Sequence, residues 1–170
     1  MDKNEALERL LNAYSHSYDV SRDVEVGGEA YPAAAHFFLR DEHYLVRRDK
    51  KFYATEQHDY TYFLLADHLD AETLRREIER TREAGLREIK PHKEHMCSYV
   101  TLVILADEID PEAKKLIKRT RFQKNFRLAL HGWMEYHIAA MECSTLSFLS
   151  NPAGRVARKT LEGNFAPKGK

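Results

Sequence analysis

The chain has 170 residues, 43% hydrophobic and 32% charged, with 27 acidic and 27 basic side chains. This size and balance suit one soluble domain with its own core. No apolar run reaches the ~18 residues of a membrane span, the charged N-terminal stretch has no signal-peptide core, and two cysteines are too few for a disulfide framework. The expectation is therefore a cytoplasmic protein with reduced Cys97 and Cys143 and no membrane contact.

The neutral total hides a division. Residues 1–110 hold 15 Lys/Arg against 23 Asp/Glu, whereas residues 111–170 hold 12 against 4. Such asymmetry points to nucleic acid, an acidic protein or self-association, unless the halves neutralise each other on folding.

In chain order, Asn4 is placed to cap a helix running to Tyr14, with Leu7, Leu10, Leu11 and Tyr14 along one face. "DVEVGGEAYP" reads as a short alternating strand, a glycine turn and a proline. A β-meander follows. "AAHFFLR" and "HYLVRR" flank a tight turn at Asp41-Glu42, and "KFYATEQ" follows Asp49-Lys50.

Two segments then echo each other 40 residues apart. "YTYFLLADHLDAETLRREIER" and "VTLVILADEIDPEAKKLIKR" both read strand, loop, helix. Thr61, Leu65, Ala66, Asp67, Asp70 and Glu72 match Thr101, Leu105, Ala106, Asp107, Asp110 and Glu112. Continuous apolar runs predict central strands covered on both faces, adjacent and parallel. Asp70 and Asp110 fall at N-cap positions, with Pro111 at N1. The first of these helices is expected to end near Gly85, before Pro91.

From Phe126 the residues alternate. One parity reads Phe126, Leu128, Leu130, Gly132, Met134, Tyr136 and Ile138; the other reads Arg127, Ala129, His131, Trp133, Glu135 and His137. The pattern predicts a long strand with the first parity buried, bent at Gly132. A short basic helix closes the chain. The expected fold is α+β, a single domain over residues 1–162: an antiparallel meander joined to strand–helix–strand–helix and a closing antiparallel strand or hairpin, with residues 163–170 a disordered basic tail.

Four groups are candidates for chemistry. His131, Glu135 and His137 share the wetter parity and are residue types that ligate first-row metals. His92, Glu94, His95 and Cys97 crowd one loop, where Cys143 or His137 would be needed to complete a Zn²⁺ site. Asp67 and Asp107, at the carboxyl ends of neighbouring strands, are placed to hold Mg²⁺ or share a proton, and with Glu135 they are the catalytic candidates. The basic helix presents Lys114, Lys115, Lys118 and Arg119 on one stripe, continued by Arg121, Lys124 and Arg127, and is the expected contact for an acidic partner.

The order helix, three-strand meander, helix, strand resembles the core of the PD-(D/E)xK nucleases over about two-thirds of the chain. The family's carboxylate followed by E-x-K is missing; the nearest string, Glu56-Gln57-His58, has histidine where the lysine belongs. The resemblance implies a metal-dependent hydrolase as the alternative to the leading expectation, a non-catalytic binding or regulatory module that forms a homodimer or binds an acidic protein or nucleic acid.

Overall fold

The computed structural model describes residues 1–43 and 53–167. Helix α1 (Lys3–Tyr14) is followed by strands β1 (Asp19–Val26), β2 (Glu29–His43) and β3 (Tyr53–Leu69) and helix α2 (Ala71–Glu88). Then come β4 (His95–Ile109), α3 (Pro111–Arg119), β5 (Gln123–Asn125), β6 (Trp133–Glu142), β7 (Ser147–Ser150) and α4 (Arg155–Phe165). The described strands form one mixed sheet in the order β1-β2-β3-β4-β6-β5, with β7 also paired to β6. The fold is a single α+β domain, as the composition and patterning predict.

The echo is a register. β3 and β4 are adjacent and parallel, and Thr61 lies opposite Thr101, Leu65 opposite Leu105 and Ala66 opposite Ala106. The apolar runs are continuous because both faces of the sheet are covered. Leu102, Ile104 and Ala106 pack with Leu74 and Ile78 of α2 and with Ala113 and Ile117 of α3. Val103 and Leu105 point the other way, to Leu7, Leu10 and Leu11 of α1 and to Leu161 and Phe165 of α4.

Several local expectations are corrected. The cap of α1 is Asp2, whose carboxylate accepts the N–H groups of Asn4 and Glu5, so Asn4 lies inside the first turn. Asp41-Glu42 form no turn; β2 runs through them, paired across to Thr55 and Ala54. Most of "HYLVRR" lies outside the described residues. Helix α2 continues three residues past Gly85. That glycine sits against Val100, where an added Cβ would lie 2.6 Å from Val100 Cγ1. It marks a close helix–strand contact and not a helix end. Asp70 caps α2 by accepting the Thr73 N–H at 2.7 Å, but Asp110 makes no side-chain cap bond and faces His68 Nε2 at 3.1 Å.

The largest correction concerns residues 126–132. They form a turn and no strand. Arg127, Leu128 and Ala129 are all left-handed, with φ of 47°, 55° and 68°. The predicted bend at Gly132 is present at φ 76°, where an added Cβ would meet the Met96 and His95 carbonyls. Only from Trp133 does the alternation become a strand: Met134, Tyr136 and Ile138 are buried, while Leu128 and Leu130 are exposed. β6 runs parallel to β4, and the antiparallel closing pieces are β5 and β7 at its far edge.

Candidate functional site

Asp67 and Asp107 do not follow their strands; they lie within them, two residues before the ends. Lys3 at the start of α1 bridges both, with Nζ 2.7 Å from Asp67 and 2.6 Å from Asp107. The two carboxylates hold its ammonium above its ordinary pKa. The pair thus anchors the first helix to the sheet.

His131 does not join Glu135 and His137. It lies in the turn before β6, where its carbonyl accepts the Nδ1–H of His95 at 2.6 Å. Glu135 and His137 do meet, at 3.2 Å, and His137 stacks on Tyr99. Cys97 lies opposite Trp133 at the start of β6, while Cys143 follows its end, with its N–H donating to Ala106. About nine residues of strand at ~3.3 Å each separate them, so they cannot share a metal. His95 belongs to β4 and is buried; Nδ1 faces a carbonyl, so Nε2 accepts from the Ser98 hydroxyl at 2.8 Å.

The structure gathers a different set of histidines. Ladder pairing sets His36 on β2 opposite Tyr60 on β3, with His58 two residues away on the same face. His36 Nε2 is 3.1 Å from His58 Nδ1, and the Tyr60 hydroxyl is 3.4 Å from that same nitrogen. On the far side of the ring, His58 Nε2 is 3.9 Å from Glu56. Glu56 is 8% exposed and is held by Arg40 at 2.9 Å and His92 at 2.8 Å. These side chains floor a groove of about 830 Å³ between β1 and the C-terminal part of α2, with Tyr62, Glu88 and Lys90 among its walls. Burial, and then the neighbouring imidazole of His36, push the His58 pKa down. Of this set, sequence singled out His92 as a possible metal ligand and named Glu56 and His58 only as the string nearest to the nuclease motif. The others needed β2 and β3 to be paired in register, because each strand alone shows an ordinary alternation.

On the opposite face, Asp59 is enclosed by hydroxyl donors from Tyr18 at 2.9 Å, Thr101 at 3.0 Å and Thr61 at 3.2 Å. Burial raises its pKa and these donors oppose the rise. Each oxygen has a donor, so the group serves packing.

The basic surface divides in two. Lys114 pairs with the buried Glu142 at 2.8 Å, and Lys115 with Glu112 at 2.7 Å. Both belong to the fold's own charge network. Lys118, Arg119, Arg121, Lys124 and Arg127 are exposed, and among the described residues none of them pairs with a carboxylate. No acidic residue occurs between Glu112 and Glu135. The turn that follows these cations carries Leu128, 95% exposed, and Leu130, 76% exposed. At the other end of the sheet, edge strand β1 exposes Asp19, Asp23 and Glu25. Its one cation, Arg22, is occupied by Glu8 of α1.

A three-layer α+β domain with a histidine-lined groove and oppositely charged sheet edges is the class that fold and site define. The family described as "Domain of unknown function (DUF8052)" matches residues 2–163, and the chain belongs to it. No curated protein and no solved structure gives a significant match. Among the described residues no helix is long and apolar enough to cross a membrane.

Proposed function

We propose that the chain is a self-associating binding module, in which the basic edge of one copy docks on the acidic edge of the next. The supporting observation is the Arg127–Leu130 turn, which presents two exposed leucines after a run of five exposed cations that form no ion pair among the described residues. Three consecutive left-handed non-glycine residues cost about 1–2 kcal/mol each. A free surface turn gains nothing from that strain or from two wet leucines. A partner surface that covers them recovers about 1.5–3 kcal/mol per leucine.

Nucleic acid accounts for the cations but has little use for the leucines. A protein surface with an acidic rim uses both. The β1 edge supplies such a rim through Asp19, Asp23 and Glu25, at the opposite end of the same sheet. Contact between two different patches is heterologous, so it closes into a ring or runs on as a chain. The expected dimer is then the first step of association.

Sedimentation velocity across a concentration series tests this. Wild type is expected to associate at low salt and to dissociate as salt screens the edges. Leu128→Ser/Leu130→Ser is expected to stay monomeric at every salt concentration. A wild type that is monomeric at all concentrations, or that retains duplex DNA equally well with and without the two leucines, would overturn the proposal.

A further inference from the structure

We propose that the floor of the β2–β3 groove is a transition-metal site of the Zn²⁺ class, formed by His36 Nε2, His58 Nδ1 and the Tyr60 hydroxyl, with its open position facing the groove. The site stands apart from the charged edges, and its failure would leave the self-association untouched.

Three features carry it. First, His58 Nδ1 is a nitrogen approached by two other donors, at 3.1 Å from His36 Nε2 and 3.4 Å from the Tyr60 hydroxyl. A tetrahedral Zn²⁺ with bonds of about 2.0–2.1 Å has donor–donor edges of about 3.3–3.4 Å. The two rings lie nearly parallel at 9° with their nitrogens facing each other, and an in-plane turn of about 35° by each would aim both lone pairs at one tetrahedral metal in place of their mutual hydrogen bond. Second, the back of the His58 ring faces a carboxylate, with Nε2 3.9 Å from Glu56. At that distance Glu56 makes no hydrogen bond to the ring, but its negative charge beside the cluster favours a bound cation. Glu56 is itself fixed by Arg40 and His92, so its position is built in.

Third, the neighbouring histidines are already committed. His92 accepts the Glu94 N–H on Nδ1 and donates to Glu56 from Nε2, and His95 uses both nitrogens. His36 and His58 are the pair of this cluster whose nitrogens address each other across the groove. Among the described residues no three His, Cys, Asp or Glu side chains converge on a metal position. The third donor is accordingly a phenol, and a water or a groove-bound ligand would complete the shell.

The test is calorimetric titration of the chelator-stripped full chain with Zn²⁺, alongside the visible spectrum of the Co²⁺ form. One saturable site with a tetrahedral Co²⁺ spectrum is expected. His36→Ala and His58→Ala should each abolish it, and Glu56→Gln should weaken it severalfold by removing the nearby negative charge. His137→Ala, on the opposite face, should leave it unchanged. Tyr60→Phe should alter the Co²⁺ spectrum while preserving the fold, which keeps the test decisive if either alanine variant unfolds. Absence of saturable binding, or binding that survives both histidine changes with the fold intact by circular dichroism, would overturn the site.

Discussion

Removing the charge on Glu142 should destabilise the fold in a strongly pH-dependent way. This carboxylate is 6% exposed at the end of β6. One oxygen accepts the Ile109 N–H at 2.9 Å and faces Lys114 Nζ at 2.8 Å. The other accepts from Thr145 at 2.6 Å and Ser147 at 3.2 Å. Burial alone would raise its pKa, but the Lys114 ammonium, the Thr145 hydroxyl and the Ile109 N–H together hold it at about 2 against an ordinary 4.5. At ~1.36 kcal/mol per pKa unit the ionised form contributes about 3 kcal/mol to folding. The folded-state pKa lies below the unfolded one. The contribution is therefore complete above about pH 5 and is lost as pH falls from there towards 2. Glu142→Gln should lower the unfolding free energy by about 2–3 kcal/mol at neutral pH, with the difference closing progressively below about pH 4.5. Urea unfolding of both proteins at a series of pH values reads this directly. A gap that persists unchanged at pH 3, or one below about 0.5 kcal/mol at pH 7, would refute the reasoning.

Gly85→Ala should destabilise by about 1–2 kcal/mol, because crowding against Val100 costs more than the ~1 kcal/mol that alanine gains in a helix interior. In a Val100→Ala background the same change should become neutral or stabilising, and a denaturant double-mutant cycle measures that coupling. Lys3→Ala should lower Tm by leaving Asp67 and Asp107 facing each other on neighbouring strands, and Asp67→Asn added to it should restore part of the loss. Equal Tm values for the single and double variants would show that repulsion is not the cause.

The sheet centre was legible because the same requirement, burial on both faces, wrote nearly the same residues into β3 and β4 forty positions apart. The turn at residues 126–132 was not. Leu128 and Leu130 continue the apolar parity of Met134 and Tyr136, and nothing in three non-glycine residues announces left-handed backbone. Asp41-Glu42 misled in the opposite direction, since turn-forming residues sit within a long antiparallel pairing. Among the candidate sites, Asp67 and Asp107 were rightly placed side by side, but the lysine between them comes from a helix more than sixty residues away in sequence. The His36–His58 pair escaped for a similar reason. It exists only once the β2–β3 register is known, because nothing within either strand alone sets His36 beside His58.

Charge-swapped complementation tests the head-to-tail contact most directly. Asp19→Lys/Glu25→Lys reverses the acidic edge and leaves the basic turn intact, and Arg121→Glu/Lys124→Glu/Arg127→Glu does the converse, setting three carboxylates against the two remaining cations. Each variant alone then presents two edges of like charge and should sediment as a monomer at low salt. Mixed, the intact basic turn of one meets the intact acidic edge of the other, and the mixture should associate. A mixture that stays monomeric, or single variants that associate as well as wild type, would contradict the account.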